Sequence, residues 1–238
     1  MTEQFERILV ALDTTEVGAA ARLAGQLAGA VGGVKLGLEF VNANGPDGVR
    51  AVAAAGQKLF LDLKFHDIPN TVAGAVRAVA PLAPAIVNVH AGGGAAMMQA
   101  AAAAAEAAAS NGTERPLVVA VTVLTSLDED DLASVGQRGP AGDQAVRLAE
   151  LAQQSGLDGV VCSAREAAAV RAACGPDFKL IVPGIRPIWA SADDQKRITT
   201  PADAVAAGAD YLVIGRPITT APDPLEAARL ISQELEEA

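Results

Sequence analysis

A chain of 238 residues that is 51% apolar but only 3% aromatic is long enough to bury a substantial core, built mostly from small aliphatic side chains. Its formal net charge of −10 argues against nucleic acid or an anionic membrane as partner, since both favour basic patches, and obliges any small anionic ligand to find a local cationic pocket. Two cysteines, Cys162 and Cys174, and two histidines supply neither a disulfide framework nor a zinc site.

The polar start, Met1–Glu6, lacks a basic region followed by a long apolar stretch. No apolar run escapes Gly, Pro and charge for long enough to span a bilayer. A cytoplasmic protein is expected.

Along the chain, short β-branched apolar runs alternate with Ala-rich amphipathic stretches. A strand over Arg7–Asp13 precedes a helix over Gly18–Gly29, and a strand over Val31–Phe40 precedes a helix over Gly45–Ala55. Lys58–Phe65 is followed by Thr71–Ala80, and Ala85–His90 by Ala95–Ser110, an alanine run that reads as helix because Ala is the best helix former. After a strand over Pro116–Thr125 comes an acidic, glycine-containing excursion, Leu127–Gly139, and then a helix over Gly142–Gln154. Gly159–Ser163 with Arg165–Cys174, Lys179–Ile185 with Pro201–Ala207, and Tyr211–Arg216 with Pro224–Glu236 complete the series. Eight such units imply parallel pairing through right-handed crossovers. In a chain of this length they suit a closed (β/α)8 TIM barrel better than an open doubly wound sheet. No linker or shift in composition divides the chain, so residues 1–238 are expected to form a single (β/α)8-barrel domain.

A parallel strand buried on both faces should be almost continuously apolar. Four strands break that rule: Asp13 ends the first, Lys35 interrupts the second, Asp62 and Lys64 interrupt the third, and Arg216 ends the eighth. Residues two apart share a face, so Asp62 and Lys64 point into the barrel while Leu61 and Leu63 meet the helices. The first three strands are neighbours, so Asp13, Lys35, Asp62 and Lys64 converge, with Asp67 just beyond. Buried charges must alternate in sign, and these do. A purely structural ion-pair network is the plain alternative, but adjacent lysines among several carboxylates point to a functional site. At the other end of the chain, Pro183-Gly184-Ile185-Arg186-Pro187 follows the seventh strand and Ile214-Gly215-Arg216-Pro217 the eighth. Loops at these two positions recur as the phosphate site of this fold. Gly admits close backbone approach and Arg offers a fork that matches phosphate.

The ten residues Asp62-Leu63-Lys64-Phe65-His66-Asp67-Ile68-Pro69-Asn70-Thr71 resemble the signature of the orotidine 5′-phosphate decarboxylase family. Val10–Asp13, Val34–Gly37, Val87–Ala91, Leu124–Ser126, Pro183–Pro187, Asp194-Gln195 and Gly215–Pro217 are similar to that family's corresponding segments, in order and over essentially the whole chain. The resemblance implies a TIM barrel that converts orotidine 5′-phosphate to UMP and CO2, the last step of UMP synthesis, with no cofactor and no metal. It implies that Lys64 protonates C6 of the pyrimidine within a charged network of Lys35, Asp62, Lys64 and Asp67. By the same resemblance Asp13 and Lys35 bind the ribose hydroxyls, Asp62 binds substrate beside its carboxylate, and Thr125 and Ser126 belong to the pyrimidine-reading segment. Arg186, Gln195, Gly215 and Arg216 form the phosphate site. Asp67 and Thr71 reach into the site of the other subunit of a homodimer.

The chemistry is consistent with the residues present. Loss of CO2 from C6 leaves an electron pair in the ring plane, where the π-system cannot delocalise it. With no motif for an electron-sink cofactor, stabilisation must be electrostatic and in a dry site. His66 and His90 read as structural, with His66 pointing away from Lys64 by alternation, and Cys162 as a small core residue. Related barrels that share Asp-x-Lys-x-x-Asp but use Mg²⁺ need a further carboxylate, for which Glu39 is the local candidate, placed inward by parity with Lys35. A Schiff-base aldolase and a non-catalytic sugar-phosphate sensor are the other readings.

Overall fold

Eight parallel strands pair in chain order and close on themselves: β1 (Ile8–Ala11), β2 (Gly33–Gly37), β3 (Leu59–Phe65), β4 (Ile86–His90), β5 (Leu117–Val121), β6 (Gly159–Val161), β7 (Lys179–Pro183) and β8 (Tyr211–Ile214). The structure is a computed structural model and describes residues 4–109, 114–137, 139–190 and 199–237. The last strand returns to the first through the pairs Ile8–Leu212 and Val10–Ile214. The expected (β/α)8 barrel is therefore the architecture formed. No described helix is long and apolar enough to cross a membrane.

Alternation along each strand divides the apolar residues between two layers. Leu9, Ala11, Phe60, Ile86, Val119, Ile181 and Val213 fill the barrel. Ile8, Val10, Leu36, Leu61, Val87, Val118, Leu180 and Ile214 face outward and join the core beneath the helices. Those helices are α1 (Val17–Gln26), α2 (Leu38–Ala53), α3 (Pro69–Val79), α4 (Ala95–Ala109), α5 (Glu129–Ser134), α6 (Ala141–Gln154), α7 (Ala164–Cys174), α8 (Pro201–Ala206), α9 (Arg216–Thr219) and α10 (Pro224–Glu236). The alanine run of α4 is helical, as its composition predicts, and buries Met97, Met98, Ala101, Ala104, Ala105 and Ala108.

Several strands end earlier than the sequence suggests, and all at the C-terminal rim. Leu38, Glu39 and Phe40, read as the end of the second strand, instead open α2. Their alternation mimics a strand, and the helix is then interrupted at Gly45, whose φ of 61° and ψ of −164° are non-helical. Pro46 restarts it at a position where a missing N–H costs little. Glu39 consequently lies exposed in the first turn of α2 and not inside the barrel. Ser163 caps α7 through a reciprocal bond pair with Glu166 instead of extending β6. The acidic excursion folds as α5, closed by a capping box between Asp128 and Asp131. Arg216 begins α9 instead of ending β8.

At the N-terminal rim two carboxylates tie neighbouring units together. Asp158 Oδ2 accepts from the backbone N–H of Val118 at 2.7 Å and from Arg115 Nη1 at 2.8 Å. Asp210 Oδ2 accepts from the N–H of Leu180 at 2.8 Å and from Arg171 Nη2 at 2.6 Å. Arg171 also donates to the carbonyls of Gly175, Phe178 and Gly208.

Candidate active site

At the opposite rim the charged side chains of β1, β2 and β3 converge on one carboxylate. Asp62 Oδ1 lies 2.6 Å from Lys64 Nζ, and Asp62 Oδ2 lies 3.2 Å from Lys35 Nζ. Lys35, itself buried, also reaches Asp13 Oδ1 at 3.5 Å. Its ammonium lies over Gly37, where an added Cβ would stand 3.3 Å from Nζ. Burial pushes the Asp62 carboxyl up, but the ammonium groups of Lys35 and Lys64 and the amide of Asn88 outweigh it, so Asp62 lies below the ordinary carboxylate value. It is ionised at neutral pH and holds two cations against one another.

Lys64 owes its position to a break in the β3–β4 ladder. Leu61 pairs with Val87 and Phe65 with Val89, so three residues of β3 oppose Asn88 alone. An insertion of two preserves parity and keeps Lys64 on the inner face with Asp62. The cost falls on its backbone, since Lys64 has φ of 51°, in the left-handed region.

Two adjoining cavities open from this cluster. The first, about 210 Å³, has Lys35, Asp62 and Lys64 at one side and apolar walls from Phe60, Val121, Val123, Leu124, Val161, Cys162 and Val213, with Thr125 and Pro183 completing it. The second, about 280 Å³, shares Lys35, Asp62, Pro183 and Val213 and runs past Asp13 to Gly184, Ile185, Arg186, Gly215, Arg216 and Pro217. A third, about 470 Å³, lies beyond Thr125, but none of the lysines lines it. We place the site in the first two because Lys35, Asp62 and Lys64 border the first, and Lys35, Asp62, Arg186 and Arg216 border the second.

The structure thus brings together Asp13, Lys35, Asp62, Lys64, Thr125, Arg186, Gly215 and Arg216. It leaves three expected residues out. Ser126 is exposed beside Thr125 and lines neither cavity. Asp67 is exposed, accepts from the N–H of Ile68 at 2.7 Å, and makes no ion pair among the described residues. Thr71, also exposed, belongs to the first turn of α3. Gln195 lies outside the described residues. His66 and His90 stack at 5.3 Å with planes 17° apart, and His90 accepts from the N–H of Gly92. Cys162 is buried in the outer core, although it also borders the first cavity, and burial pushes its thiol up to about 12.

One polar residue escaped the sequence reading. Asn88 is fully buried on the inner face of β4, its amide bonded to both Asp62 and Lys64. The register Ile86-Asn88-His90 held the signal, because an amide at an inward position of a parallel strand needs internal partners.

A closed eight-stranded barrel, with two lysines on one carboxylate and paired glycine–arginine corners after β7 and β8, defines a TIM-barrel protein whose C-terminal rim suits a small anionic ligand. The profile of the Orotidine 5'-phosphate decarboxylase / HUMPS family matches residues 6–231, and the chain belongs to that family. It is 60% identical over 230 residues to the orotidine 5'-phosphate decarboxylase of Rhodospirillum rubrum, covering 96% of this chain and 93% of that protein. The corresponding protein of Paramagnetospirillum magneticum is 59% identical over 229 residues, covering 96% and 97%. The crystal structure of orotidine 5'-phosphate decarboxylase from Lactobacillus acidophilus superposes with a TM-score of 0.85 at 37% identity, covering 96% of this chain and 98% of that one.

Proposed function

We propose that this chain decarboxylates orotidine 5′-phosphate to UMP and CO2, as the family it belongs to and the names of its relatives suggest. The observation that carries this reading is the Lys35–Asp62–Lys64 cluster at the edge of an apolar-walled cavity that continues toward Arg186 and Arg216. The pyrimidine occupies the first cavity and the ribose phosphate the second. The C6–carboxylate bond breaks heterolytically, CO2 departs, and the electron pair remains on C6 in the ring plane. Lys64 is an ammonium already in place, so it stabilises that pair without reorganisation and then transfers a proton from Nζ to C6. Contacts made to the remote phosphate supply binding energy used at the reacting carbon.

The same reading makes the enzyme a homodimer with shared sites. Residues 66 to 71 form an unbroken exposed run after β3, with Ile68 67% exposed, and Asp67 takes no part in its own chain's cluster. An isologous interface there carries Asp67 and Thr71 to the partner's cavity. Neither nucleic acid nor membrane has a role, and the expected location is the cytoplasm.

Pure protein incubated with orotidine 5′-phosphate should change its ultraviolet absorbance to that of UMP, and a chelator should leave the rate unchanged. Absence of turnover refutes the reading, and a rate abolished by the chelator and restored by Mg²⁺ would favour the metal-dependent branch of the family.

A further inference from the structure

The β3 insertion that places Lys64 leaves two polar groups without ladder partners. The Lys64 N–H cannot find a β4 carbonyl, because three residues of β3 oppose one of β4. Asp62 Oδ1, pulled into the barrel, has Lys64 Nζ on one side only. An unpaired buried donor or acceptor carries the full cost of its desolvation, so both need partners.

Asn88 supplies both. Its Oδ1 accepts from the Lys64 N–H at 2.7 Å, and its Nδ2 donates to Asp62 Oδ1 at 2.7 Å. The amide's orientation follows from these contacts, since the flipped form would set donor against donor and acceptor against acceptor. The residue has no exposed surface and lies on a strand, so it cannot drift. One side chain therefore holds the left-handed backbone of Lys64 and the carboxylate that aims its ammonium.

We propose that Asn88 is a positioning residue for the reaction: it locks the Lys64 backbone in its left-handed conformation and fixes the Asp62 carboxylate that directs Lys64 Nζ into the cavity. Asp cannot replace it at neutral pH, because the ionised group has no donor for Asp62. Leu fills the space but leaves the Lys64 N–H without a partner and takes one of its donors from Asp62 Oδ1. Without the amide, Lys64 relaxes toward negative φ and carries its ammonium off the line of transfer. A displacement of about 1 Å in a reacting group is enough to cost on the order of a hundredfold in rate.

This inference rests on the decarboxylase reading, and its test separates the two. Wild-type protein is assayed beside Asn88→Ala and Asn88→Asp on orotidine 5′-phosphate. Asn88→Ala should lower kcat by about ten- to a hundredfold while KM changes less than about threefold, because the far end of the second cavity, Gly184 to Arg186 and Gly215 to Pro217, is left unchanged. In Asn88→Asp the new carboxylate, when ionised, faces the ionised Asp62, and only the protonated acid can donate to Asp62. Its kcat relative to wild type should therefore climb as pH falls from 8.5 to 5.5, where a residue that merely supports the fold would give a constant ratio. A folded Asn88→Ala variant with kcat within twofold of wild type overturns the proposal, as does a flat ratio for Asn88→Asp. The isosteric Asp variant carries the test if the Ala variant does not fold. Should wild type itself show no turnover, the decarboxylase reading fails and a crystal structure of either variant judges Asn88. Lys64 leaving positive φ supports the positioning role, and an unmoved Lys64 ends it.

Discussion

The two rims of the barrel use the same side chains for opposite ends. At the N-terminal rim, Asp158 and Asp210 each take an arginine and a backbone N–H from the neighbouring strand. The main donors there are spent on the protein's own backbone. At the C-terminal rim two lysines crowd Asp62, and cavities begin where their ammonium groups end. An ion pair by itself therefore says little about function. Charged groups of neighbouring strands that border a cavity with apolar walls say a good deal more.

The sharpest way to break the contrast is to remove a cation from each rim. Lys64→Ala should reduce kcat by about 10³-fold or more, with the folded state intact by circular dichroism. A folded variant keeping a tenth of wild-type kcat would remove Lys64 from the chemistry.

The rims should differ again in completeness, since every N-terminal partner lies within one chain while Asp67 stands outside its own cluster. Lys64→Ala and Asp67→Ala homodimers are each expected to be nearly inactive. Co-expressed, they should form mixed dimers in which one site carries both lesions and the other neither. Random assembly makes about half the dimers mixed, so roughly a quarter of wild-type activity should return. Verified mixed dimers without any rescue would place Asp67 in its own chain's site.

Arg216→Ala addresses the far end of the second cavity. Loss of one charged hydrogen-bond partner to phosphate should lower kcat/KM for the nucleotide by about 10- to 100-fold. Turnover of the phosphate-free nucleoside, already slow, should not change, and equal losses on both substrates would show that Arg216 does not bind phosphate. At the N-terminal rim, Arg171→Met takes the nearer of two cations from Asp210, which keeps Lys179 at 3.6 Å, and removes the guanidinium donor from three carbonyls. It should lower stability in urea titrations by about 2–4 kcal/mol and leave kcat within twofold of wild type. A large fall in kcat would mean that the two rims are not independent.

The barrel was legible because strand and helix periods alternate eight times, and the cluster because charge is conspicuous in a strand that should be apolar. What misled was the C-terminal rim itself. Residues such as Leu38–Phe40 and Gly215-Arg216 keep a strand-like pattern after leaving the ladder, where the backbone turns outward to line the cavities or enter a helix. Glu39 was placed inward for the same reason. Asn88 went unread because it carries no charge and follows apolar Ile86 and Val87, although its inward parity was available. The separation of Asp67 and Thr71 from their own chain's cluster was expected only through the family resemblance of residues 62–71, since alternation and spacing set Asp67 merely just beyond the other charges.

Lys64 also sets activity against durability. A non-glycine residue in the left-handed region gives up about 1 kcal/mol relative to a relaxed backbone. Lys64→Gly and Lys64→Ala both delete the ammonium, so the difference between their melting temperatures isolates the backbone, and the glycine variant should be the more stable by about 1 kcal/mol. Selection for heat resistance alone would therefore favour glycine here over alanine, in a protein that no longer turns over substrate. The backbone conformation that costs stability here is the one that carries the ammonium of the proposed reaction.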